Sequence, residues 1–281
     1  MSDSRFHTAV LVLNRNMREM TEKLIDRLCD SNTKYPMDIW CLDADSDQEE
    51  VVQNADKILL LGNNPRWAGA FERGIRHVRQ DPLDIRTTYS HFWCVCNDAQ
   101  MVDDEILAML IDSSPDDCAQ IHPYQKHHPS ATFQGRCGTG VRASSYVEFV
   151  CPLFTRTFIE RAQHKFGFPG IDPGFSMGWG TDYVLAYVAH ELGMKSYMCD
   201  DVGILHETGT THKHAAKTKV ESNEDMRKLA RNTMLDHLEE VYGKHWGQIF
   251  IDSAKRAGVD PKAFVDWSGY DRNLSLTGAR A

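Results

Sequence analysis

Two hydrophobic periods alternate along the chain. Thr8 to Leu13 (TAVLVL) is an unbroken β-branched and aliphatic run, the pattern of a strand buried on both faces of a parallel sheet. It stops at Asn14, Arg15 and Asn16. From Met17 to Cys29 the apolar positions Met17, Met20, Leu24, Ile25 and Leu28 then recur at helical spacing, with Glu19, Glu22, Lys23 and Asp26 opposite them. Met37 to Leu42 (MDIWCL) predicts a second strand, ending at the acidic cluster Asp43, Asp45, Asp47, Glu49 and Glu50. Lys57 to Leu61 predicts a third, followed by Gly62, Asn63, Asn64 and Pro65 and a helix over Arg66 to Val78. Ser90 to Cys96 predicts a fourth, running into Asn97 and Asp98, with a helix over Val102 to Ile111. Strands alternating with helices predict an α/β fold with a mostly parallel, Rossmann-like sheet flanked by helices. Ligands of such sheets gather beyond the C-terminal strand ends, where Asn14, Asp43, Asn64 and Asp98 fall.

The second half is less regular. His122 to Arg142, rich in His, Pro, Gly and Gln, predicts a loop or a pair of short strands; Ser145 to Phe154 predicts a strand and Thr157 to Lys165 a helix. The Gly- and Pro-rich stretch from Gly167 to Gly180 excludes a long regular element. A helix over Asp182 to Leu192 stops at Gly193, and Ser196 to Leu205 is a last strand ending at His206. A polar loop, THKHAAKTK, and helices over Ser222 to Tyr242 and Trp246 to Arg256 complete the chain.

Composition narrows the function classes. With 281 residues, 42% apolar and 25% charged, the chain can build a sizeable core. Its 31 Lys and Arg against 40 Asp and Glu give a net charge of −9, a poor match to a polyphosphate backbone, so a nucleic-acid partner is unlikely on charge. No apolar run reaches the roughly 18 residues of a membrane span. The N-terminal MSDSRFHTAVLVLN has no signal-peptide pattern, and a cytoplasmic location is expected. The eight cysteines form no CxxC pair and sit mostly in apolar runs, so free buried thiols are expected.

Several ordered segments resemble the glycosyltransferases of the GT-A fold, closest to the family 2 type. They are VLVLNRN, WCLDADSD, LLGNNPRWAGAFERGI, FWCVCNDAQMVDDEI and GWGTDYVLAYVAHELGMKSYMCDDVGILH. The resemblance implies transfer of a sugar from a nucleotide-sugar donor (UDP-, GDP- or dTDP-linked) to an acceptor glycan, lipid or other hydroxyl, with inversion and with Mn²⁺ or Mg²⁺. It places Asp98 at the last Asp of the metal-binding motif, whose first Asp is replaced by Cys96, and His206 at the metal-binding His. His212 and His214 are competitors in a loop shared with Lys213, Lys217 and Lys219. Asp182 becomes the general base, with Thr181 in place of the usual Glu, and Trp179 and Gly180 contact the acceptor. Asn14, Asp43 (with Asp45 as a rival), Asn64, Trp67, Gly69, Arg73 and Asn97 fall on the donor side. The expected organisation is a GT-A domain over 1–210, its nucleotide-binding half about 1–105 and its acceptor-binding half about 106–210, with 211–281 as a C-terminal helical extension. Two other functions use the same kind of sheet. A sugar nucleotidyltransferase calls for a Gly-rich basic loop after the first strand, where LNRN has no glycine; a degenerate relative that only binds sugar or nucleotide fits the two lost motif carboxylates.

Overall fold

The computed structural model describes residues 6–80, 88–128, 134–175, 178–206 and 223–261. Its first half follows the predicted alternation: β1 (Thr8–Asn14), α1 (Arg18–Ser31), β2 (Met37–Asp43), β3 (Lys57–Leu60), α2 (Arg66–Gln80) and β4 (His91–Val95). Then come β5 (Ala99–Met101), α3 (Ile106–Ser113), β6 (Cys118–Gln125), β7 (Val141–Ser144), β8 (Leu153–Thr155), α4 (Arg156–Phe166), α5 (Thr181–Glu191), β9 (Lys195–His206), α6 (Asn223–Tyr242) and α7 (Trp246–Arg256).

All the strands among the described residues join one sheet in the order β3-β2-β1-β4-β8-β6-β9-β5, with β7 pairing β9 off this path. β1, β2, β3 and β4 are mutually parallel. β8 is antiparallel to both β4 and β6, and β6 is parallel to β9. Two reversals cancel, so β1, β2, β3, β4, β6 and β9 all point the same way. Their C-terminal ends, Asn14, Asp43, Leu60, Val95, Gln125 and His206, therefore lie along one edge of the sheet.

Successive side chains of the buried strands feed opposite cores. Ala9 and Leu11 of β1, with Trp40, Leu42, Phe92 and Cys94, pack against Phe71 and Ile75 of α2, Phe158 of α4 and Leu185 of α5. Val10 and Val12, with Ile39, Cys41, Trp93 and Val95, pack against Leu24, Ile25 and Leu28 of α1 and Leu107 of α3. Met234 and Leu238 of α6 and Trp246 and Phe250 of α7 enter the first of these cores. Among the described residues no helix is long and apolar enough to cross a membrane, and all eight cysteines are free, five of them buried.

Two predicted elements are corrected. Of the strand expected over Ser145 to Phe154 only Leu153 and Phe154 pair; residues 145–152 are irregular. The helix expected from Val102 starts at Ile106, because Ala99 to Met101 instead form β5 against β9, and the Asp103 carboxylate accepts from Gly203 N at 2.8 Å rather than capping a helix. The region between His122 and Arg142 contributes the end of β6 and the start of β7.

Candidate active site at the strand ends

Asn14 and Asp43 are register partners at the ends of β1 and β2, and both are buried. Asn14 Nδ2 donates to Asp43 Oδ2 at 2.9 Å and to Glu50 O at 2.8 Å, while Asp43 Oδ1 accepts from Ser46 N at 2.9 Å. Thr21 Oγ1 donates to Asn14 Oδ1 at 3.0 Å and accepts from Asn97 Nδ2 at 3.2 Å. Three donor-side residues are thus brought together and tied to one another. Thr21, the link between them, was missed, although helical spacing does put it on the buried face of α1 beside Met17 and Leu24. Asp45, by contrast, is exposed in a left-handed turn (φ 66).

Around the start of α2, the Asn64 side chain accepts from Arg66 N at 3.0 Å and closes the turn. Trp67 Nε1 donates to Cys96 Sγ at 3.2 Å, and its ring stands edge-on to Phe71 and Phe149. A Cβ added at Gly178 would lie 3.1 Å from that ring, so the Gly-rich loop packs against Trp67 at the start of α2. Gly69 faces within its own turn: a Cβ there would lie 3.2 Å from Pro65 Cβ. Arg73 is exposed and holds Asn63 Oδ1 at 2.8 Å. Burial, and then the neighbouring Asp98, push the Cys96 thiol well up, so the position of the missing motif Asp holds a neutral side chain.

Asp98 follows β4 by way of Cys96 and Asn97, and β5 pairs antiparallel with β9 so that Ala99 and His206 are partners. This brings Asp98 Oδ2 to 3.6 Å from His206 Nε2, with the side chains only 9% and 15% exposed. The separation exceeds a hydrogen bond, and His206 Nδ1 is buried with no hydrogen-bond partner among the described residues. A carboxylate oxygen and an imidazole nitrogen converging in this way suit a hard-to-borderline divalent cation. Among the described residues no group of three or more His, Cys, Asp and Glu side chains gathers for a metal.

Asp182 sits in the first turn of α5, whose start is set by Gly180 in a left-handed conformation (φ 87). Its carboxylate accepts from Tyr183 N at 3.1 Å. Burial, and after it the charge of Glu148, raise its pKa to about 7. Trp179 is partly buried against the core, and Thr181 is fully buried. Glu148 was not singled out from the sequence. Burial opposes its charge, but hydrogen bonds from His128 and Gln125 and the nearby His206 outweigh this and hold its pKa below the usual carboxylate value. Glu148 therefore reaches electrostatically from the Asp182 side to the Asp98–His206 side. His212, His214, Lys213, Lys217 and Lys219 lie outside the described residues.

Solved structures share this arrangement of elements. A mannosyltransferase from Pyrobaculum calidifontis, PcManGT, solved with GDP-Man and Mn²⁺, aligns over 95% of this chain and 79% of its own at 12% identity, TM-score 0.51. GalNAc-T7 with UDP, GalNAc and Mn²⁺ aligns over 94% of this chain at 12% identity, TM-score 0.54. TarS of S. aureus, in complex with UDP-GlcNAc, aligns over 89% of this chain and 72% of its own at 13% identity, TM-score 0.51. The chain has the GT-A fold. It spans 56% of the GalNAc-T7 chain. No protein-family model and no curated protein matches the sequence. With the GT-A sheet in place, the strand-end edge that carries Asn97, Asp98 and His206 is the one where ligands of open α/β sheets bind.

Proposed function

We propose that the chain is a glycosyltransferase that moves a sugar from a nucleotide-sugar donor to an acceptor hydroxyl with inversion. The observation that carries the reading is the meeting of Asp98 and His206 at the strand-end edge, with the poised carboxyl of Asp182 linked to them electrostatically through Glu148. The GT-A structures above were solved with UDP- or GDP-linked components, two of them with Mn²⁺, and the same donor class, including a dTDP-sugar, is proposed here.

Asp98 and His206 would hold Mn²⁺ or Mg²⁺, which offsets the charge gathering on the departing diphosphate. Asp45, Asn64 and Arg73, near the ends of β2 and β3, are the donor-side groups with surface to offer. Asn14, Asp43 and Asn97 fix the corner beneath them. Asp182 takes the proton of the acceptor hydroxyl as its oxygen bonds to the anomeric carbon and the bond from that carbon to the diphosphate breaks. A carboxyl with a pKa of about 7 is matched to proton transfer at neutral pH. Trp179 and Gly180 adjoin Asp182 and mark the acceptor side. The proposed unit is a GT-A domain over 1–210, with 211–281 as a helical extension.

Calorimetric titration with UDP-, GDP- and dTDP-sugars, with and without Mn²⁺, tests the reading. Mn²⁺-dependent binding of at least one donor is expected, and absence of nucleotide binding in every combination would overturn it. The replacement of two motif carboxylates by Cys96 and Thr181 favours one second reading, a relative that binds donor without turnover. Donor binding without transfer or donor hydrolysis would identify it.

A further inference from the structure

Glu148 lies between β7 and β8, in the irregular stretch over 145–152. Gln125 Nε2 donates to its Oε2 at 3.0 Å, and His128 Nε2 lies 3.2 Å from its Oε1. Gln125 is buried at the end of β6, so the carboxylate is fixed from the same strand-end edge that carries Asp98 and His206. Each carboxylate oxygen offers more than one acceptor position, and the Glu148 side chain is 30% exposed. The carboxylate therefore has surface to offer on the side of Asp182, whose proton affinity its charge raises. The paired rings of Tyr146 and Tyr183, centroids 4.8 Å apart, join the stretch that carries Glu148 to the first turn of α5 that carries Asp182. Thr181, the residue before Asp182, is buried and uncharged, so the second carboxylate on this side comes from a different part of the chain. Among the described residues Lys126 pairs with Asp103 and Arg142 with Asp200, while His128 pairs with Glu148 itself.

We propose that Glu148 is the acceptor-specificity residue: it accepts hydrogen bonds from acceptor hydroxyls, and its charge admits neutral or cationic sugars while rejecting sugars that carry a carboxylate or phosphate. The proposal rests on the glycosyltransferase reading. It commits the acceptor to an uncharged or amino sugar, because an anionic one would set like charges side by side at Glu148.

Ligand-observed NMR tests it on the full chain with Mn²⁺ and UDP or GDP present, using p-nitrophenyl glucoside, glucosaminide and glucuronide as probes. The wild type should bind the glucuronide at least about ten-fold more weakly than the glucoside, the order expected for one nearby charge. Glu148→Gln should close that gap, and Glu148→Asp, which keeps the charge, should retain it; nucleotide binding by both variants is measured alongside. Equal binding of glucoside and glucuronide by the wild type, binding of none of the three, or an undiminished gap in Glu148→Gln overturns the assignment. A wild type that binds no nucleotide overturns the transferase reading, and the Glu148 role with it. Nucleotide binding with unchanged discrimination sinks the Glu148 role alone.

Discussion

Asp98 and His206 face each other because Ala99 and His206 are partners in the antiparallel pairing of β5 with β9. Each side chain alone is an ordinary polar residue at a strand end; the pairing makes them the proposed two-point ligand set. Removing either donor should weaken cation affinity at least as much as loss of a supporting residue does, about 10- to 100-fold. Asp98→Asn and His206→Gln should therefore lose Mn²⁺-dependent donor binding, and EDTA should reproduce this in the wild type. Calorimetry of UDP- or GDP-sugar binding across a Mn²⁺ series checks it; unaltered metal dependence in both variants would remove the two residues from the cation site.

Asp182 gives a second, independent prediction. If it takes the acceptor's proton, Asp182→Asn should bind donor normally and lose about 10²- to 10⁴-fold in transfer. The wild-type rate at saturating substrate should rise with pH through about 7, where Asp182 ionises, and Asp182→Asn should lack that limb. A pH–rate profile of both proteins tests this, and an unchanged acidic limb in the variant would assign the base elsewhere.

The same carboxyl carries a stability signature of opposite sign. A pKa raised to about 7 in the folded chain, against roughly 3.9 unfolded, means that the folded state holds this proton more tightly. The contribution is fully favourable below pH of about 4 and is lost as pH rises to about 7, a swing of up to about 4 kcal/mol. Asp182→Asn should thus be more stable than the wild type at pH 8, with the advantage shrinking as pH falls from 7 towards 4. Urea denaturation of both proteins at pH 5 and pH 8 measures it. A variant less stable at pH 8 than at pH 5, relative to the wild type, would contradict the burial argument.

The strands that announced themselves in the sequence are those whose side chains are apolar on both faces, such as Thr8 to Leu13 and His91 to Val95. β6 did not, because its buried positions include Gln120, His122 and Gln125. They find polar partners inside the protein: Gln120 donates to Ser196 Oγ at 2.9 Å, His122 Nε2 accepts from Cys151 N at 2.9 Å and Gln125 donates to Glu148 Oε2 at 3.0 Å. A hydrophobic pattern cannot reveal such a strand. Glu148 was hidden between Val147 and Phe149, which read as the apolar face of a strand that does not form, with Glu148 on its polar face. Asp98, Asp182 and His206 could each be picked out by position, but β5, the element that brings Asp98 to His206, is only three residues long. Asn14 and Asp43 were found as polar strand ends; that they would satisfy each other depended on the register of β1 with β2.

Thr21 tests whether that polar corner supports the turn bearing Asp98. Its hydroxyl joins Asn14 to Asn97, the residue before Asp98. Thr21→Val keeps the shape but strands the buried Asn14 oxygen and deprives the half-buried Asn97 amide of an acceptor, at a cost of about 1–3 kcal/mol; Thr21→Ser keeps the hydroxyl. The Val variant should require more Mn²⁺ for half-maximal donor binding at unchanged saturating turnover, and the Ser variant should restore the wild-type requirement. A Ser variant as impaired as Val would show that the methyl group, not the hydrogen bond, matters.

Gly180 is the hinge on which Asp182 depends. Its φ of 87 lies in the left-handed region, which costs a residue with a Cβ about 1 kcal/mol or more. A Cβ there would also lie 2.6 Å from Met234 Cγ and 2.8 Å from Phe175 Cε1, and neither can retreat freely because both are buried in the core that α6 shares with α5. Gly180→Ala should therefore destabilise the protein by more than the backbone term alone, about 2–4 kcal/mol in all. The strain enters at the start of α5, so the Asp182 carboxylate should move with it while the Asp98–His206 pair, held by β5 and β9, stays. The expected result is a lowered denaturation midpoint together with a loss in transfer rate at unchanged Mn²⁺-dependent donor affinity. Loss of donor affinity in proportion to the loss of rate would show instead that the two sides of the cleft are mechanically coupled, with the contact between Gly178 and Trp67 as the route.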